Sequence, residues 1–126
     1  MTVPNSPPPE GLTTRIRWKR VIDGDTIEVV LRSGRLARVR IAGFDAPEAR
    51  SVDGIAATHA LTGLLETTAD KPLRLYIPAP EDKDKNGTLD LDELLSILSF
   101  ERVCAYLFAG TIRVDLWMIE HGHVKA

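Results

Sequence analysis

Apolar and polar residues alternate through "TRIRWKRVI" (residues 14–22) and "TIEVVLR" (26–32), on either side of "DGD", and again through "RLARVRIAG" (35–43) after Ser33-Gly34. Alternation at period two marks strands with one dry and one wet face, and Asp-Gly and Ser-Gly are turn signals, so the pattern predicts a three-stranded antiparallel meander. The period then changes. In "DGIAATHALTGLLETTAD" (53–70) Ile55, Ala56, Ala60, Leu61, Leu64 and Leu65 fall at helical spacing, with Asp53 placed to cap the helix. "KPLRLYIP" reads as a fourth strand ended by the prolines of "PAP", "LDELLSILSFE" (91–101) as a second, shorter helix, and "RVCAYLFAG" (102–110) as a fifth strand. The tail "VDLWMIEHGHVKA" puts Leu116, Ile119 and Val114 on one side of a closing helix, with Gly122 as its stop.

Five short strands with a helix between the third and the fourth is the order of a small Greek-key barrel of the oligonucleotide-binding (OB-fold) type. The predicted class is therefore α+β: a five-stranded OB-fold barrel with flanking helices. The chain has 126 residues, 44% of them hydrophobic, which suits one domain with a modest core. That domain is expected over residues 14–126, after a Pro-rich arm at 1–13 that holds no apolar run and so does not read as a signal peptide. No stretch is apolar enough to predict a membrane span.

The net charge of −2 argues against a generally basic nucleic-acid binder, but the charge is unevenly placed. Between Arg15 and Arg40 eight Lys or Arg face Asp23, Asp25 and Glu28, a local +5; residues 82–93 carry five acids and two lysines, a local −3. A phosphate partner suits only the first segment. The single cysteine, Cys104, excludes an internal disulfide and lies in the apolar "VCAYLF", which predicts a buried, inert thiol. His59, His121 and His123 lack zinc-ligand spacing relative to Cys104 and are expected at the surface, the last two near a helix C-terminus.

Three acids stand at the ends of the meander: Asp25 opens the second strand, Asp45 follows the third, and Glu48 lies in "FDAPE". Two carboxylates on neighbouring strands, with a backbone carbonyl and waters, form an open site for a hard divalent cation, and a third carboxylate nearby can deprotonate an attacking water. Arg40 and Arg102 offer bidentate donors to phosphate and can balance charge that develops on its oxygens. Taken singly, each of these also reads as a hairpin turn, a solvated loop acid or the wet face of a strand.

The ordered set "VIDGDTIEV", "RVRIAGFDAPE", an apolar helix and "ERVCAYLF" closely resembles the staphylococcal nuclease (thermonuclease-like) family, over residues 14–126 apart from an acidic insert. The resemblance implies a calcium-dependent phosphodiesterase that cuts DNA and RNA to leave 3′-phosphate ends; single-stranded DNA or RNA is the expected substrate. It implies that Asp25, Asp45 and the Ala46 carbonyl hold the catalytic calcium, that Glu48 is the general base, and that Arg40 and Arg102 bind the phosphate. Asp23 and Thr26 match positions that support these ligands. Two departures stand out. The family's short loop ahead of the second arginine is replaced by an insert at 81–101, and the tyrosines and last helix that complete the family's nucleotide pocket have no counterpart after "HGHVKA". Weak substrate affinity or a shortened chain is the expectation from the second.

Within the insert, "DKDKNGTLDLDE" matches the EF-hand loop pattern in full: Asp82, Asp84, Asn86, the Thr88 carbonyl, Asp90 and Glu93 as calcium ligands, with Gly87 at the sharp bend. A calcium sensor needs an entering helix and a paired loop. The entering segment here is "LYIPAP", which cannot be helical, so the loop is expected as a structural calcium staple inside a nuclease barrel. The other readings are a binding module of the same fold with weak catalysis, for nucleic acid or protein, and a calcium-responsive interaction protein. The compartment stays open: cytoplasmic if the chain is complete, secreted or periplasmic if a leader was removed.

Overall fold

The computed structural model describes residues 13–31, 34–76 and 102–125. The first twelve residues of the expected arm, the calcium-loop ligands Asp82, Asp84, Asn86, Thr88, Asp90 and Glu93, and the helix expected at 91–101 lie outside the described residues. So does the side chain of Arg102.

Strands β1 (Thr13–Asp23), β2 (Thr26–Val30) and β3 (Leu36–Ile41) form the expected meander. β1 starts at Thr13, one residue inside the expected arm. The long helix α1 (Val52–Thr67) follows, then β4 (Leu73–Tyr76), β5 (Arg102–Ala109), the two-residue β6 (Ile112–Arg113) and the short helix α2 (Val114–Glu120). The strands run in the order β3-β2-β1-β4-β5, and β5 returns to pair in parallel with β3, from Arg38↔Arg102 to Ile41↔Ala105. That parallel pairing closes a five-stranded mixed barrel, consistent with an OB-like barrel and two helices, with β6 as a short addition on β5.

Alternation explains the interior. Ile27, Val29, Val39, Ile41, Leu75 and Leu107 are fully buried, while Arg15, Arg17, Lys19 and Arg38, at the intervening positions, are exposed. Burial of this kind stabilises by roughly 1.5–3 kcal/mol per large aliphatic side chain. Leu61 and Leu65 of α1 and Val114 and Met118 of α2 complete the same core.

Leu61, Leu64 and Leu65 of α1 and Val114 of α2 are buried as expected, but the rest of each buried face differs from the expected one. Ser51, and not Asp53, caps α1: its hydroxyl accepts the Gly54 N–H at 2.9 Å, and Asp53 lies in the first turn. The buried face is Gly54, Ala57, Leu61, Leu64 and Leu65, leaving Ile55 49% exposed and Ala56 exposed. Gly54 sets this phase, because a Cβ built there would lie 1.8 Å from the Glu48 carbonyl oxygen; only the glycine face can approach that backbone. In α2 the inward residues are Val114, Asp115 and Met118, and the expected Leu116 and Ile119 are 43% and 44% exposed. Gly122 does stop the helix, with φ +78°. Cys104 is exposed rather than buried, because β5 turns its neighbour Ala105, together with Leu107, into the barrel.

Candidate metal centre

The site is built on the tip of the β1–β2 hairpin. Gly24 is buried there, and a Cβ on it would lie 2.8 Å from Ala57 Cβ and 2.9 Å from Ala46 Cβ. The missing side chain lets α1 and the segment after β3 close down on the tip. Asp23 and Asp25 flank this glycine. The Asp25 N–H donates to Asp23 Oδ1 at 3.1 Å, the Thr26 hydroxyl donates to Asp25 Oδ1 at 3.1 Å, and the Ala46 N–H donates to Asp25 Oδ2 at 3.1 Å. Asp25 is thus fixed from both its own turn and the loop that follows β3.

Arg40 stands opposite Thr26 in the β2–β3 register, and the Ile41 N–H donates to the Asp25 carbonyl at 2.7 Å. From this position its guanidinium reaches both catalytic candidates: Nη2 lies 3.4 Å from Asp25 Oδ2 and also donates to Asp45 Oδ1, while Nη1 donates to the Ile41 carbonyl. Two carboxylates from different strand ends therefore converge on one positively charged nitrogen. Asp45 itself is 76% exposed, so this pairing is open to solvent on its side.

The loop carrying Asp45 is held from behind. The Ala42 N–H donates to the Ala105 carbonyl at 2.8 Å, Phe44 is buried, and the Lys125 N–H donates to the Asp45 carbonyl at 2.7 Å. Gly43 has φ +101°, and a Cβ there would lie 2.2 Å from Asp115 Oδ2. Asp115 is 1% exposed and paired in fork geometry with Arg113, Nε to Oδ1 at 2.9 Å and Nη2 to Oδ2 at 3.0 Å; Arg113 also lies 5.0 Å over the Tyr106 ring. Sequence reasoning missed Asp115 and Lys125. Asp115 reads as a first-turn helix acid and Lys125 contributes only backbone, so neither leaves a local signal.

Glu48 is close in sequence but differs in environment. Its carbonyl accepts the Ser51 N–H at 3.0 Å and the Ser51 hydroxyl at 2.6 Å, while its side chain is exposed and has no ion pair or hydrogen bond among the described residues. Arg102 opens β5 opposite Arg38, and two residues on, Cys104 stands opposite Arg40. A shallow cleft of about 490 Å³ beside the centre is lined by Arg40, Ala42, Gly43, Phe44, Asp45 and Cys104. The structure thus brings together Asp23, Asp25, Thr26, Arg40, Asp45 and Ala46, with Glu48 nearby on the chain and Arg102 placed by its backbone alone.

Burial pushes the Asp25 carboxyl above its ordinary value of 3.8, and the neighbouring Asp23 adds to the rise; the Ala46 N–H and the Arg40 charge oppose it. A carboxyl with a raised pKa in the fold binds its proton more tightly there than in the unfolded chain. Ionised Asp25 therefore weighs against the fold at neutral pH, and that cost fades as pH falls through the raised pKa towards 3.8. The metal-free Asp25→Asn protein is expected to melt higher than the parent at pH 7, with the gap closing in acid. Thermal melts across pH check this; a mutant no more stable than the parent at pH 7 would contradict it.

The donor set suits a hard divalent cation: Arg40 Nη2 is a cation already held between two carboxylate oxygens, one fixed and one open to water. Among the described residues no three His, Cys, Asp or Glu side chains converge into a ready ligand cluster, so carbonyls, waters or substrate oxygens would complete the shell. No protein-family model matches this chain, and no curated protein is similar to it.

Proposed function

We propose that this protein is a calcium-dependent nuclease of the staphylococcal nuclease (thermonuclease-like) type, hydrolysing phosphodiester bonds in single-stranded DNA or RNA. The observation that carries the reading is the convergence of Asp25 and Asp45 on Arg40 at the mouth of an OB-like barrel, from the two motifs in which the resemblance is most specific.

Asp25, Asp45 and the Ala46 carbonyl would hold calcium, which when bound polarises the phosphate and draws it to the aspartates. With the two carboxylates balanced by that charge, the Arg40 guanidinium is available to the nonbridging oxygens, joined by Arg102. Glu48, exposed and without a partner among the described residues, takes the proton from a water as its oxygen bonds to phosphorus. The P–O5′ bond then breaks, leaving a 3′-phosphate, and the leaving 5′ oxygen takes a proton from solvent water. Incubation with single-stranded DNA and RNA, with calcium or with chelator, tests this. Cleavage only with calcium is expected, whereas binding without cleavage would make the barrel a nucleic-acid module.

The full loop pattern at Asp82, Asp84, Asn86, Thr88, Asp90 and Glu93 supports a second calcium site, separate from the aspartates of the hairpin. With more charged ligands it should fill first and raise thermal stability by binding the folded state. The Asp84→Ala, Glu93→Gln double mutant is expected to lose one bound calcium and the stability gained from it, while retaining cleavage at saturating calcium. Calorimetric titration decides it: an unchanged calcium count removes the second site, and complete loss of cleavage in a folded mutant makes the loop a regulator instead of a staple.

A further inference from the structure

The positive charge of the first strand is not used by the metal centre. At the end of the barrel away from Asp25, where Arg17 pairs with Val30, a cleft of about 520 Å³ opens between β1, the end of β2 and the turn from α1 to β4. Arg15, Arg17 and Lys71 line it, over an apolar floor that includes Ile16, Leu65 and Leu73. No Asp or Glu is among the described residues that line it, although Glu66 and Asp70 are exposed near that turn. A second cleft of about 540 Å³ shares Arg17, Trp18 and Val30 with the first and adds Lys19. Trp18, half-buried and packed in part against the core, borders both clefts with its exposed part.

We propose that this pair of clefts is a second binding site for single-stranded nucleic acid, holding a part of the strand remote from the bond being cut. Cations spaced along a strand match successive phosphates, and the exposed part of an aromatic at the cleft edge gives one base a stacking surface; cations with an aromatic are the usual composition of sequence-tolerant single-strand sites. A rim of Arg and Lys without acids selects an anionic partner over an apolar one, and the exposed part of Trp18 favours a strand with stacking bases over an acidic peptide. Trp18 lies five residues before Asp23 on β1, about 17 Å at the strand rise. The way along α1 agrees: from Gly54, beside the metal centre, to Thr68, on the cleft, is about 21 Å at the helical rise. At about 3.4 Å per nucleotide of stacked strand, the two sites lie on the order of five or six nucleotides apart. The placement beside a cleavage site rests on the nuclease reading; the binding itself does not.

The test uses the full chain with Glu48→Gln, to limit cleavage, and oligothymidylates of four and twelve nucleotides. The twelve-mer is expected to bind at least tenfold more tightly. The further change Arg17→Gln with Lys71→Gln should remove that advantage and flatten the dependence of log Kd on log salt by about 1.4, at roughly 0.7 per lost phosphate contact on a single strand. With Trp117→Phe, Trp18 is the remaining tryptophan; its emission should be quenched by the twelve-mer and not by heparin. An unchanged salt slope overturns the proposal, and equal response to heparin reduces the site to a general polyanion patch, which also overturns it. Cleavage by the parent is scored separately: a parent that never cuts, beside a variant that shows these binding effects, removes the nuclease reading and keeps the site.

Discussion

Arg40→Ala is expected to lower the rate of phosphodiester cleavage by about a hundredfold or more, the usual scale for removing a group that balances charge in a transition state. The same substitution should leave calcium binding intact or strengthen it, since the guanidinium and the metal draw on the same Asp25 and Asp45 oxygens. Without metal the variant loses the one cation that these carboxylates share among the described residues, and burial of Asp25 then acts with less opposition. Calcium should accordingly raise the melting temperature of the variant by more than it raises that of the parent. Single-turnover cleavage at saturating calcium, with melts in calcium and chelator, separates the two roles. A variant that cuts within a few fold of the parent would show that Arg40 only neutralises the aspartates.

Glu48→Gln should cost on the order of a hundredfold or more in turnover with little change in KM, because the substitution keeps shape and removes only the proton acceptor. The exposed Glu48 side chain has no partner among the described residues, so the fold should tolerate the change; its backbone carbonyl, which receives Ser51, is untouched. Parallel melting and single-turnover measurements check this. Cleavage at the parental rate would assign the base elsewhere, and an equal loss in KM would make Glu48 a binding group.

The strands and the grouping of Asp25, Arg40 and Asp45 were legible because their signals are local. Alternation from Ile16 to Ile41 fixes which side chains face the core, and "DGD" with "RIAGFDAPE" places Asp25, Arg40 and Asp45 at the ends of paired strands. Helix phase was legible at Leu61, Leu64 and Leu65 but not in the first turn of α1, where packing against the backbone before the helix decides it. Ile55 is more apolar than Gly54, yet the Glu48 carbonyl admits only the glycine. In α2 the Arg113–Asp115 pair turns a charged residue inward against Gly43 and leaves Leu116 and Ile119 outside, the reverse of what hydrophobicity alone selects. Cys104 was misread for a related reason: a run of apolar residues on β5 conceals which of them looks outward.

The clasp on the Asp45 loop gives the candidate site an order of assembly. The groups that contact the Asp25 carboxylate, on Thr26, Arg40 and Ala46, are all present once residue 46 is made, whereas the Asp45 loop is held by Asp115 through Gly43 and by the Lys125 N–H, 80 positions beyond Asp45. At about 5–20 residues per second of synthesis, those partners follow Asp45 by on the order of ten seconds. A growing chain therefore has every group that contacts the Asp25 carboxylate well before it has those that clasp the Asp45 loop.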